Sequence, residues 1–112
     1  MAIVIDENLI PLSLRDGESI FIDLTMKVTD DNPTGVIPTD WVGAYEITEF
    51  QKETNIILSG AVAQSSDNLK FEVRVPFTDT DALFGKFVIS VKASDAATGF
   101  GQYIYENIVN IT

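Results

Sequence analysis

The chain has 112 residues, and 46% of them are hydrophobic, which suits one globular domain with a core of its own. It contains no cysteine and no histidine, which excludes disulfides, thiol nucleophiles and histidine-based metal or catalytic sites. The formal net charge of −10 disfavours binding to nucleic acid or to anionic lipid, and it predicts either simple solubility or attraction to a basic partner protein.

Residues 1–8 combine an apolar start with a polar break. They form either the first strand of the domain or an N-terminal arm that pairs with an unpaired sheet edge of a neighbouring molecule. Ile3, Val4 and Ile5 are therefore candidate partner-binding residues, and deleting residues 1–5 is expected to weaken assembly more than folding. The segment lacks the basic start and the apolar length of a signal peptide, and the absence of cysteine favours folding in the cytosol.

A short strand and two turns come next. Residues 9–14 contain Pro11, which cannot donate a backbone hydrogen bond, and this strand is therefore predicted at the edge of a sheet. Residues 15–17 predict a tight turn in which Gly17 adopts a positive φ. The Asp- and Asn-rich residues 30–35 predict a second turn.

Alternating apolar and polar residues predict strands along most of the remaining chain. The clearest are residues 19–29, 69–75 and 86–93, each with one apolar and one largely polar side. Residues 41–48 form a further strand, and a glycine divides residues 55–63 into two short strands or one bulged strand. The three clearest strands are predicted to turn these residues toward the core: Ile20, Ile22, Leu24, Met26, Val28, Leu69, Phe71, Val73, Val75, Phe87, Ile89, Val91 and Ala93.

The C-terminal half adds one helical turn and a last strand. Residues 78–84 predict the helical turn, with Thr78 as its cap and Gly85 closing it. Residues 94–101 predict a loop tip, and residues 103–111 a strand with apolar groups on both faces, which places it centrally or under a cover. The residues predicted to share one face of this strand are Tyr103, Tyr105, Val109 and Ile111.

Seven or eight short strands at this spacing predict an all-β fold, an immunoglobulin-like antiparallel β-sandwich. A closed barrel is the alternative. The sandwich is predicted to occupy residues 1–112 as a single domain, with residues 1–8 as its possible arm.

Carboxylates are the main groups that remain for catalysis. Hydrolysis of a sugar requires two of them across a cleft, and a domain of this size rarely forms such a cleft. We therefore predict that the protein is not an enzyme. Two groups of acids lie close together in the sequence: Glu46, Glu49 and Glu53, and Asp79 and Asp81.

The acidic turn offers a possible calcium site. Asp30, Asp31 and Asn32, together with Asp40, carry the hard oxygen ligands that calcium prefers. Asp and Asn are equally typical of a turn without a metal, and no EF-hand spacing is present. We predict no metal and no cofactor.

Two aromatic residues have alternative interpretations. Trp41 is predicted to fill the core, and its other possible role is sugar stacking or partner contact. Phe100 lies between two glycines at a loop tip, where it either anchors an interface or folds back over the sandwich. Phe100 and Tyr103 join Ile3, Val4 and Ile5 as the predicted partner-binding residues.

Several turns and strand starts have a pattern in common with a known group of domains. They are residues 14–21, which lead through a tight turn into a long strand, residues 29–33, residues 40–44 and residues 83–87. Together they resemble a β-sandwich domain widespread in tailed bacteriophages, found in baseplate upper proteins, fibre-attachment and collar proteins, and small head or tail accessory proteins. Phe84 stands where that family usually has proline, and Trp41-Val42 where it has Leu-Thr.

The resemblance implies a non-enzymatic virion structural protein that is present in many copies. It would assemble in the host cytoplasm and bind copies of itself and other virion proteins of the tail, baseplate, fibre or capsid. A capsid decoration protein that cements neighbouring capsomers is the alternative within this class. A carbohydrate-binding or adhesin-like module is the alternative outside it.

Overall fold

The computed structural model describes residues 5–6, 12–15, 17–81 and 83–112. Within these ranges the chain forms eight strands and one four-residue helix. Their bounds are β1 Ile5–Asp6, β2 Leu12–Leu14, β3 Ile20–Met26, β4 Trp41–Glu49, β5 Lys52–Gln64, β6 Lys70–Val75, α1 Phe77–Thr80, β7 Gly85–Asp95 and β8 Gly101–Ile111.

The strands form two sheets that share β5. The first sheet has the order β1-β3-β6, and the second has the order β5-β4-β7-β8-β2. Most of β5 pairs with β4, but its last two residues, Ala63 and Gln64, pair with Glu72 and Phe71 of β6. Strands β3 and β6 in one sheet and β4, β7 and β8 in the other correspond to strands B, E and C, F, G of the immunoglobulin fold. The predicted all-β, immunoglobulin-like sandwich is confirmed.

One strand pair departs from the predicted antiparallel arrangement. Strand β2 lies beside β8 and runs parallel to it, with Leu12 opposite Val109 and Leu14 opposite Ile111. Strands β1 and β2 lie at opposite ends of the strand order, β1 in the first sheet and β2 in the second. The chain reaches β8 running in the same direction as that strand. The expected edge position of the Pro11 segment is confirmed for residues 12–14.

Alternation along the strands builds the core between the sheets. In β3, Ile20, Leu24 and Met26 are buried, and the intervening Phe21 and Asp23 are exposed. Strand β6 repeats this pattern, and its three apolar residues are fully buried. Each such side chain contributes about 1.5–3 kcal/mol relative to an exposed position. The fully buried apolar residues with the largest side chains are Phe71, Ile20, Leu24, Ile47, Ile89, Val73, Val75, Val91 and Val109.

The two sheets touch directly at the centre of the sandwich. A Cβ added to Gly43 of β4 would lie 3.1 Å from a ring carbon of Phe71 in β6. Trp41 and Tyr45, on the same side of β4, are 3% and 4% exposed. The prediction that Trp41 fills the core is therefore confirmed.

Three local predictions are wrong. Helix α1 covers residues 77–80, and its N-cap is Pro76, not Thr78, with no side-chain hydrogen bond at the cap. Thr80 is instead the anchor of this turn, because its buried hydroxyl donates a 2.7 Å hydrogen bond to the Glu18 carbonyl oxygen. Val28 lies beyond the end of β3 and is 63% exposed, and Leu69 precedes β6 and is 38% exposed.

Strand β8 changes its facing direction partway along its length. The pairing of β7 with β8 shifts between Val91 and Lys92, so that Val91 lies opposite Tyr105 while Lys92 lies opposite Tyr103. One residue more on β8 than on β7 forms a β-bulge. Tyr105 is consequently buried and Tyr103 is 62% exposed, so the prediction that they share one face is wrong.

Candidate functional site

The outer face of the first sheet carries charges that neutralise one another. We call it the paired face and define it by Phe21, Asp23, Lys70, Glu72 and Arg74. The Arg74 guanidinium donates to Asp23 at 2.7 Å and to Glu72 at 3.3 Å, and the Lys70 ammonium lies 3.3 Å from the other Asp23 oxygen. The same guanidinium carbon lies 4.4 Å from the centre of the Phe21 ring. The hydrogen bond from Arg74 is the main reason that the pKa of Asp23 is lowered.

The outer face of the second sheet is built differently, and we call it the open face. The strand register aligns alternate residues of β5, β4, β7 and β8 in three rows. Its middle row alternates serine and glutamate, and the rows on either side are mainly apolar. The first row is Ala61, Ala44, Lys92 and Tyr103; the second is Ser59, Glu46, Ser90 and Glu106; the third is Ile56, Thr48, Val88 and Ile108. Thr48 and Val88 are buried, so the third row presents surface mainly at Ile56.

Small side chains leave a shallow groove of about 440 Å³ on this face above β4 and β5. Ala44, Ser59 and Ala61 form much of its lining, and Val42 and Glu46 complete its outward-facing part. Val42 is 55% exposed although it belongs to a central region of the sheet. A partner can therefore approach the backbone of these two strands closely.

The floor of the groove depends on one glycine. The buried Tyr45 ring lies beneath Gly60, and a Cβ at this position would come within 2.7 Å of a Tyr45 ring carbon. Burial is the main reason that the pKa of the Tyr45 hydroxyl is raised, and the nearby negative charge of Asp79 contributes. The absence of a side chain at residue 60 thus lets β5 pass over the tyrosine.

The predicted partner-binding residues fall in different surroundings. Ile3 and Val4 lie outside the described residues. Ile5 belongs to β1, pairs with Met26 of β3 and packs against the core. Phe100 is 51% exposed, and its ring meets the buried Trp41 ring edge-on at 5.9 Å. It combines both roles considered for it, since it caps the core and still presents surface. Tyr103 stands on the open face with the Lys92 ammonium 5.8 Å from its ring centre.

The open face also contains residues that sequence reasoning missed. Val42, Ile56, Glu46 and Glu106 were not predicted as partner-binding residues. The alternation in β4 already carried a signal for Val42, because an apolar residue on the outward side of a strand is available for contact. The position of Tyr103 beside Lys92 had no such signal, since it depends on the bulge in β8.

The acidic groups considered for calcium binding and for catalysis receive no support from the described residues as sites of either kind. Asn32 is buried, and its side-chain amide donates a 2.9 Å hydrogen bond to the Val36 carbonyl oxygen, which is a turn-stabilising role. Glu49 forms an ion pair with Lys52 at 3.6 Å, and Asp79 and Asp81 are exposed around α1. Among the described residues, no three acidic side chains gather closely enough to hold a metal ion, and no helix is long and apolar enough to cross a membrane.

The comparisons with known proteins include a distant structural likeness. No family model and no curated protein matches the chain. A chain in the crystal structure of Dpr1 IG1 bound to DIP-eta IG1 is similar over 99% of this chain and 96% of that chain, with 7% sequence identity and a TM-score of 0.46. The strand order and the shared core described above, rather than this likeness, define the fold.

Proposed function

We propose that this chain is a non-enzymatic interaction module of a tailed-phage virion, which binds other virion proteins of the tail, baseplate, fibre or capsid and copies of itself. The observation that carries the proposal is the open face. It exposes one aromatic and two aliphatic side chains, Tyr103, Val42 and Ile56, on the outer side of the second sheet.

The composition of the open face suits a protein interface. Tyrosine is enriched at the centres of interfaces, where its large and stiff side chain loses little conformational entropy on binding. Tyr103, Val42 and Ile56 are each more than half exposed, and the Ala and Ser residues between them leave a surface that a partner can contact closely.

The assignment to a virion has separate support in the sequence. The turns and strand starts at residues 14–21, 29–33, 40–44 and 83–87 resemble those of phage β-sandwich domains. A protein without cysteine is also compatible with assembly in the host cytoplasm. Capsid decoration remains the alternative within this class, whereas a sugar-binding role loses its best candidate because Trp41 is buried.

The decisive experiment compares two exposed aromatics on opposite faces. A phage that lacks this gene is complemented with the wild-type chain, the Tyr103→Ser variant or the Phe21→Ser variant, and copies per particle are measured by quantitative mass spectrometry. Loss of a central interface tyrosine costs about 2 kcal/mol, or roughly thirtyfold in affinity. We expect Tyr103→Ser to lower incorporation strongly and Phe21→Ser, the matched control, to retain it.

The result that would overturn the proposal is equally direct. Wild-type protein missing from purified particles removes the virion role, and equal incorporation of both variants removes the open face as the binding surface. The genes beside this one locate the protein in the particle. Neighbouring portal and capsid genes support a head position, including decoration, and a neighbouring tape-measure gene supports the tail.

A further inference from the structure

We propose that the partner bound to the open face presents a basic surface, with two cationic side chains about 10 Å apart and apolar groups on both sides of them. This inference rests on the proposed function, because it takes the open face as an interface. It adds the chemistry of the occupant, which follows from how Glu46 and Glu106 are placed.

The cross-strand neighbours of the two carboxylates are serines. Directly across the strands, Glu46 lies opposite Ser59 and Ser90, and Glu106 lies opposite Ser90. None of the lysines and arginines that the structure describes forms an ion pair with either carboxylate. On the paired face, by contrast, Asp23 and Glu72 both contact Arg74. The open face therefore carries two negative charges that its own cross-strand neighbours leave uncompensated.

The cation in the adjacent row is directed elsewhere. Lys92 lies opposite Ala44 and Tyr103, and its ammonium is near the Tyr103 ring. Its stem also leans over Gly101, since a Cβ at that position would meet the Lys92 Cε at 2.8 Å. The long lysine side chain thus extends from the first row toward Gly101, away from the middle row, which stays acidic.

The spacing of these groups defines what a partner must present. Glu46 and Glu106 are separated by two strand intervals, or about 10 Å across the sheet. The apolar rows lie about 7 Å to either side, because alternate residues of a strand are this far apart. Tyr103 and Ala44 belong to one of these rows, and Ile56 belongs to the other.

Charge also distinguishes a basic partner from a second copy of this chain. Each copy carries a formal charge of −10, so two copies repel each other at long range. If two open faces met around a two-fold axis, four glutamates would share two lysines. A surface with two cations satisfies the middle row directly, and complementary charge also speeds the encounter and fixes its register.

The test uses a peptide of defined geometry and the full-length protein. An alanine-based helical peptide carries lysines seven positions apart, which places them about 10.5 Å from each other on one side, with leucines between them. NMR amide shifts map its binding site on the protein, and a peptide with glutamates in place of the lysines serves as its control. We expect the lysine peptide alone to shift the amides of Ser90, Tyr103 and their row neighbours.

Two protein variants with the same net charge separate a specific site from general attraction. Glu46→Gln/Glu106→Gln and Asp30→Asn/Asp31→Asn each remove two negative charges from exposed or half-exposed positions. Charge pairs at an interface are worth enough that we expect about tenfold weaker peptide binding in the first variant. In the second variant we expect a change of less than about twofold, because it loses only long-range attraction.

The remaining outcomes overturn the inference. The inference is wrong if peptide binding weakens equally in both variants, if the glutamate peptide binds, or if the lysine peptide does not bind. It is also wrong if the amides of the open face shift with protein concentration in the absence of peptide, which indicates that a second copy occupies the face. Failure of the peptide test leaves the particle experiment intact. If Tyr103→Ser still loses incorporation, the open face is an interface whose partner is not basic.

Discussion

The two outer faces of this sandwich follow the same alternation and differ in their cross-strand neighbours. On the paired face, Phe21 lies opposite Arg74 and Asp23 opposite Glu72. Arg74 reaches across to Asp23 and along its own strand to Glu72, and Lys70 also reaches Asp23. On the open face, glutamates lie opposite serines. The first arrangement satisfies its charges within the chain, whereas the second leaves them to solvent or to another molecule.

The difference teaches that an exposed aromatic residue has to be judged by its surroundings. Phe21 is 71% exposed and Tyr103 is 62% exposed, and each has a cation near its ring. Arg74 covers Phe21 while it also holds two carboxylates, so this cluster is complete. Tyr103 shares its row with Ala44 of the groove, and the next row holds two acids that form no ion pair with the described lysines and arginines.

Breaking the core beneath both faces should have the largest effect. Phe71→Ala removes a fully buried ring that touches the second sheet near Gly43, and it is expected to cost about 3–5 kcal/mol of unfolding free energy. Urea unfolding followed by tryptophan fluorescence measures the change. A cost below about 1 kcal/mol would mean that the two sheets do not depend on this contact.

A smaller loss of unfolding free energy is expected when a side chain is added at Gly60, beneath the groove. Gly60→Ala places a methyl group against the Tyr45 ring and should cost about 1–3 kcal/mol. Gly101→Ala is the matched control in the same sheet, because its new methyl group meets only the flexible end of Lys92. Equal stability of the two variants in urea would contradict the close packing of Tyr45 under β5.

Removing one cation from each face sharpens the comparison further. Arg74→Gln should cost about 1 kcal/mol, since it breaks two half-exposed ion pairs and a cation–π contact. Lys92→Gln should cost less than about 0.5 kcal/mol, because among the described residues its ammonium contacts the Tyr103 ring and no carboxylate. Thermal unfolding in low salt measures both values. A larger cost for Lys92→Gln would contradict the claim that charges stabilise the paired face more than the open face.

The smallest expected effect is a pH dependence of the paired face. Since the pKa of Asp23 is lowered in the folded protein, its contribution to stability is present above the unfolded pKa, near 3.8, and is lost as the pH falls through the folded value. Exposure limits this contribution to less than about 1 kcal/mol. Asp23→Asn should flatten the stability profile in this acidic range. An unchanged profile would show that Arg74 and Lys70 do not act through this carboxylate.

The sequence predicts the parts of the fold that depend on strict alternation. In β3, β6 and β7 the two-residue period correctly separates most core residues from outward-facing ones, and Pro11 correctly marks an edge strand. It fails for β8, because the bulge beside Val91 reverses the facing of Tyr103 without any change in residue type. The parallel course of β2 is equally hidden, since three residues do not reveal which strand they will join.

The candidate site was less predictable than the fold. Sequence reasoning identified Phe100 and Tyr103, whose exposed positions are consistent with partner binding, but it gave equal weight to an N-terminal segment of which Ile5 packs against the core of its own chain. The acidic middle row could not be found in this way. Glu46 and Glu106 are sixty positions apart, and only the register through Ser90 brings them into line.

The thirteen residues of β5 have a mechanical consequence for the whole domain. This strand forms hydrogen bonds with β4 in one layer and with β6 in the other, so a single stretch of covalent backbone belongs to both. A pull on the groove side is transmitted to the opposite layer along the peptide chain, and it does not rely on side-chain contacts alone. The two sheets are thus joined by continuous backbone, and the sandwich resists a pulling force as a single unit.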